Sequence, residues 1–218
     1  MENTIRVTGK GELSVAPDMI RLILDLEKAL ESYEETIKAS AGMTEEIKKC
    51  FEELGFTRKD VKTVSFKVDT KYERYRDEHD DWKQRFIGYE FKHVIKVEFQ
   101  IENDLLGRVL TALSRCNSSP EFRLDYYVKD ADSVKNSLLE KAVSDSRKKA
   151  EILAHASGVT LGGVKSIDYS WGQMEIATKP IERSMAIPRF LQAPTYKIDI
   201  EPDDIKVSDA VTITWNLV

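Results

Sequence analysis

From Asp130 to Ile167 the apolar positions recur every fourth residue, through Val134, Leu138, Ala142, Ser146, Ala150 and Ala154. That spacing puts them on one helical face, and Leu139, Val143 and Leu153 widen the stripe. Asp130 or Asp132 can cap the start, and Gly158 can end the helix in the left-handed conformation. The pattern predicts a long helix over about Ser133–Ser157, roughly 38 Å long at ~1.5 Å per residue. The middle of its stripe is small, so it can approach a partner surface closely.

Elsewhere the period is two. Ile5, Val7, Leu13 and Val15 alternate with polar residues, as do Ile20, Leu22, Leu24 and Leu26, the pattern of half-buried strands. With Ala16-Pro17-Asp18 as the turn, 5–26 reads as a β-hairpin. Gly9 and Gly11 share the apolar parity and either leave room for another backbone or a bulky side chain or mark a bulge. Ser32 and Glu35 form a capping box for a helix through Ile37, Met43, Ile47, Cys50 and Leu54, stopped at Gly55. Val64–Tyr72 and Phe91–Ile101 alternate as two neighbouring strands. Between them lies a charged segment, near 73–88, carrying Tyr75, Trp82 and Phe86, which reads as a ribbon protruding from both strands. Asn103 caps a short helix through Leu113, Phe122–Val128 is a strand, and the long helix follows. A strand near 164–171, an irregular proline-punctuated loop near 172–197 and a terminal strand over 207–217 complete the chain. The expectation is an α+β fold in the order ββαββαβαββ: one mixed, mostly antiparallel sheet with helices on one face, in a single domain of one lobe or two.

Composition narrows the classes. The chain has 218 residues, 41% of them hydrophobic and 33% charged, as in ordinary globular proteins. A net charge of −5 argues against a nucleic-acid surface. No apolar run reaches the ~20 residues of a membrane-spanning helix. The first fifteen residues lack a signal-peptide pattern, and Cys50 and Cys116 are far apart, without metal or redox spacing. These features read as cytoplasmic, with a periplasmic or secreted location if a leader has been removed.

Candidate chemistry is sparse. His93 has the parity of the apolar face and reads as a satisfied core or sheet-edge histidine rather than a ligand. Asp77-Glu78-His79-Asp80-Asp81 offers oxygen and nitrogen donors but no EF-hand spacing, and reads as a solvated loop. No nucleophile elbow or zinc helix is present. Arg147-Lys148-Lys149 lies beside Asp145 and Glu151, which can pair with it at i+4. No catalytic residue, cofactor or metal site is expected. The aromatic ribbon and long loop suggest contact surfaces instead, with Tyr75, Trp82, Phe86, Phe190 and Leu191 as candidate assembly contacts.

Several blocks together resemble the SIMPL-domain family: Thr8-Gly9-Lys10-Gly11-Glu12 with Val15-Ala16-Pro17-Asp18, then Gly88-Tyr89 leading into Val94–Ile101, then Asp145–Ala154 followed by Gly158-Val159 and Leu161-Gly162, and Ile200-Glu201-Pro202 before the last strand. The resemblance implies a non-enzymatic protein without agreed catalytic residues. It also implies links to oxidative-stress or envelope-stress defence, to self-association and to binding of a protein partner. The expected function is therefore a self-assembling homo-oligomer. The alternatives are a small-ligand or metal-binding protein (conceivably a hydrolase) at the 77–81 cluster or under the long loop, and an adaptor for another protein.

Overall fold

In the computed structural model, described over residues 3–170, 176–177 and 200–218, the elements follow the expected order. They are β1 (Thr4–Val15), β2 (Met19–Leu30), α1 (Tyr33–Glu53), β3 (Lys62–Arg76), β4 (Trp82–Gln100), α2 (Asn103–Arg115), β5 (Glu121–Tyr127), α3 (Ala131–Ala156), β6 (Leu161–Asp168) and β7 (Ile205–Leu217). The hairpin expected over 5–26 does not form. β1 pairs antiparallel with β7 and β2 with β4, so there are two sheets, ordered β1-β7-β6 and β3-β4-β2-β5. Alternation reports which face of a strand is buried and says nothing of its partner. Pro17 lies in the connection from β1 to β2, which belong to different sheets.

The chain divides into two compact units. The first holds 3–18, 127–170, 176–177 and 202–218. Here α3 lies on β1, and its small stripe is what permits this. Leu138, Ala142, Ser146, Ala150 and Ala154 are the buried positions of the helix. A Cβ built on Gly9 would sit 2.0 Å from the Ala142 carbonyl oxygen, and one on Gly11 2.1 Å from that of Leu138. Such distances leave room only for hydrogen, so both glycines are required by close backbone approach. Asp130 caps α3 by accepting from the Ser133 N–H at 3.0 Å, and Gly158 ends it at φ +73°. The stripe is narrower than the periodicity suggested: Val143 and Leu153 are exposed, because close contact with a glycine strand leaves no depth for flanking side chains.

α3 also covers the free edge of β1. Asp145 accepts the Lys10 N–H at 2.7 Å, and the Lys149 and Lys141 ammonium groups donate to the Thr8 and Glu12 carbonyls, both at 3.4 Å. Lys149 is thus a strand-edge residue as well as the i+4 partner of Asp145 at 2.7 Å. An uncovered edge of this kind invites pairing with another chain.

The second unit holds 19–126 and 200–201. Its strand–helix–strand–strand–helix–strand order and β3-β4-β2-β5 arrangement make a split βαβ topology of ferredoxin-like type. Both helices bury their stripes on one sheet face. Ile20, Leu22, Leu24 and Leu26 of β2 and Phe91, Ile95 and Val97 of β4 meet Ile47 and Phe51 of α1 and Leu106, Val109 and Leu113 of α2. The opposite face is charged, with Arg21 and Lys96 both on Glu98 at 2.7 and 3.1 Å. Ser32 is the N-cap of α1, but its side chain makes no cap bond. The Ser32 carbonyl accepts both the N–H and the hydroxyl of Thr36, the first of these being the opening bond of the helix. The N-cap of α2 is Glu102 rather than Asn103.

Among the described residues no helix is long and apolar enough to cross a membrane.

Candidate functional site

β2 accompanies β4 only as far as the Leu30–Tyr89 pair. Beyond it β3 and β4 continue alone, from Lys71–Gly88 to Arg76–Trp82, as a two-stranded ribbon closed by the 77–81 turn. Gly88 stands at the transition. Its φ is +137°, and a Cβ there would lie 2.1 Å from the Leu30 carbonyl oxygen. The neighbouring Ile87 has no cross-strand partner, a bulge in β4 of the kind that increases strand twist.

The ribbon carries an aromatic row. Tyr72 and Phe86 pack edge to face at 5.8 Å between ring centroids, Phe86 and Tyr89 at 5.3 Å, and Tyr89 and Tyr33 at 5.4 Å. Edge-to-face contact is a favoured aromatic geometry, yet the row stays open to solvent, with Tyr33 55%, Tyr72 54% and Phe86 49% exposed. Trp82, 65% exposed, shares the parity of Phe86 nearer the tip. The Arg76 guanidinium lies 4.9 Å from its ring centroid, within cation–π range. A depression of about 410 Å³ there is lined by Arg74, Trp82, Lys83 and Gln84.

Of the five expected contacts, Trp82 and Phe86 thus share a face. Tyr75 has the opposite parity and lies under Arg85, 5.8 Å from its ring centroid. Phe190 and Leu191 lie outside the described residues, as does most of the 172–197 loop.

The acidic turn is internally committed. Asp77 accepts the backbone N–H groups of His79 and Asp81 at 2.9 and 3.0 Å and pairs with Lys83. The Lys83 ammonium, then those N–H groups, hold its carboxyl below the usual range. Asp80 pairs with Arg76 at 2.6 Å. Among the described residues no group of three or more histidine, cysteine or acidic side chains is arranged to hold a metal.

His93 is buried. Its Nδ1 meets the Thr44 hydroxyl at 3.0 Å and its Nε2 the Thr63 hydroxyl at 2.9 Å. Burial, with a smaller contribution from Lys48, lowers its pKa, so the neutral ring is the native form.

The cysteine reading requires correction. Sixty-six positions apart in sequence, Cys50 and Cys116 have their sulfurs 2.9 Å from each other. Cys50 lies in the last turn of α1 and Cys116 is the C-cap of α2. Spacing could not reveal this, because the packing of two helices on one sheet creates the proximity. The sequence signal was only that Cys50 occupies the inward stripe of its helix.

Residues 5–215 match the SIMPL family, described as a protein of unknown function (DUF541), and the chain belongs to that family. It is 23% identical over 218 residues to the 26 kDa periplasmic immunogenic protein of Brucella melitensis biotype 1, covering 98% of this chain and 84% of the relative. The protein of the same name from Brucella abortus (strain S19) gives the same identity and coverage. An uncharacterized protein YggE of Edwardsiella ictaluri is 23% identical over 215 residues, 96% of this chain and 85% of its own length.

Proposed function

We propose that this is a non-catalytic, self-associating protein, and that the outer edge of β3 with the β3–β4 ribbon is the contact between copies. The observation that carries this reading is β3 itself. It is fifteen residues long, stands at the edge of its sheet among the described residues, and is exposed along most of its length. Its sequence is self-complementary about Thr70. In an antiparallel pair of two β3 strands with Thr70 on a two-fold axis, Lys67 of each copy faces Glu73 of the other, and Asp69 faces Lys71. On the other face Val68 meets Tyr72, and Phe66 meets Arg74. Such a contact is isologous, as a two-fold interface requires, and opposite charges directly across a ladder favour pairing. These charges already lie in rows of alternating sign, with Lys67–Asp69 at 2.8 Å and Glu73–Arg85 at 2.6 Å.

Light scattering on the purified protein across micromolar concentrations tests the reading. A mass of two or more chains is expected, and a strict monomer overturns it. The description of the Brucella relatives as periplasmic supports a periplasmic location for this chain too, tested by fractionating the native host. A link to oxidative- or envelope-stress defence rests on the resemblance alone; unchanged peroxide and detergent survival in a deletion strain would remove it.

A further inference from the structure

The sulfurs of Cys50 and Cys116 approach to 2.9 Å, inside ordinary sulfur–sulfur contact and short of the ~2.05 Å of a disulfide. Both also lie against the Ala112 carbonyl oxygen, at 3.6 and 3.5 Å. The surroundings hold this arrangement. Glu46, one turn before Cys50 on α1, accepts the Asn117 N–H at 2.6 Å and the Ser118 N–H at 3.1 Å. That clamp fixes the backbone immediately after Cys116 against the helix bearing Cys50. The two thiols differ in access: Cys50 is half-buried and Cys116 buried. They differ in chemistry too. The hydrogen bond between the two sulfurs, ahead of burial, lowers the pKa of Cys50 and raises that of Cys116.

We propose that Cys50 and Cys116 form an oxidisable dithiol site that reacts with small-molecule disulfides, Cys50 being the entry thiol and Cys116 the resolving one. The Cys50 thiolate, its proton lost to water, attacks one sulfur of the incoming disulfide. That S–S bond breaks, a mixed disulfide forms on Cys50, and the departing thiolate takes up a proton. Cys116 then attacks the Cys50 sulfur as its own proton leaves, and the second thiolate departs with that proton. Two protein thiols are oxidised to one disulfide, and the reagent is reduced to two thiols. The product bridges the C-terminal ends of α1 and α2 across the sheet face they share. It stabilises chiefly by constraining the unfolded chain between residues 50 and 116.

Reduced protein incubated with oxidised glutathione at pH 8 tests the assignment. The expected product has lost two hydrogens, retains no glutathione, links the Cys50 and Cys116 peptides within one chain, and melts roughly 5–10 °C higher. A thiol reductant reverses all four changes. In Cys116→Ser a glutathione adduct accumulates on Cys50, whereas in Cys50→Ser, or Cys50→Ala where serine impairs folding, Cys116 reacts at least tenfold more slowly. Glutathione retained on the wild-type chain, disulfides only between chains, or two persistent free thiols would each overturn it.

Discussion

Gly9 and Ala142 sit so close that the hydrogen on the glycine is all that separates strand from helix: a Cβ in its place would lie 2.0 Å from the Ala142 carbonyl oxygen. Because the obstructing atoms are backbone, Gly9→Ala displaces α3 rather than a side chain. A loss of roughly 3 kcal/mol or more is expected, measured by urea unfolding. Gly42, within α1, has nothing within 4 Å of a built Cβ. Gly42→Ala should stabilise by about 0.5–1 kcal/mol through helix propensity.

Ser146 lies in the same contact and is fully buried. Its hydroxyl donates to the Val7 carbonyl at 3.3 Å and accepts the Trp215 indole N–H at 3.4 Å. Ser146→Ala leaves that buried indole N–H without its acceptor, at a cost of about 1–2 kcal/mol. The loss should appear as a lower urea midpoint at an unchanged slope.

Stability should fall as the solution is acidified through the range where histidine titrates. Burial holds the His93 pKa below its usual 6.5, so above that value the ring is neutral whether folded or unfolded. Below it the unfolded chain takes up a proton that the native ring resists, and stability is lost down to the lowered native pKa. His93→Gln should flatten the dependence of the urea midpoint between pH 7 and pH 5. An unchanged pH profile would show that another group governs it.

The β3 contact predicts a charge-reversal phenotype. Asp69→Lys with Glu73→Lys makes both cross-pairs of the two-fold register like-charged; Glu73 is exposed and Asp69 half-buried. Sedimentation velocity should show assembly weakened at least tenfold at low salt and partly restored at high salt, since screening relieves repulsion. Trp82→Glu, at the ribbon tip, should shift the assembly state in the same direction without lowering the melting temperature.

Much of this molecule was legible as pattern. Period-four apolar spacing located α3 and its cap, because these are properties of one element; the parity of Gly9 and Gly11 marked a place for close approach or a bulge without naming the helix that comes there. Pairing was not legible. Nothing in 5–26 distinguishes a hairpin from two strands that leave Pro17 for different sheets, since the deciding partners lie at 89–100 and 205–216. The ribbon was visible as a charged segment with embedded aromatics between two alternating strands, but the division of Tyr75 from Trp82 and Phe86 needed the register. The Cys50–Cys116 contact depends on the depth at which α1 and α2 seat on the same sheet, which no linear spacing encodes.

The pairing of β1 with β7, from Thr4–Asn216 to Val15–Ile205, constrains the order in which the chain can fold as it leaves the ribosome. Residues 19–126 are continuous and hold a complete sheet and both of its helices, so they can collapse while synthesis is still under way. β1 emerges first and acquires its strand partner last. At about 5–20 residues per second, it waits on the order of ten seconds or more as an unpaired strand. The glycines that admit α3 also keep this waiting segment poor in side chains, and Arg6, Lys10 and Glu12 keep it charged. A nascent chain stalled before residue 205 should therefore bind holding chaperones through its first strand and release them once the last has been made.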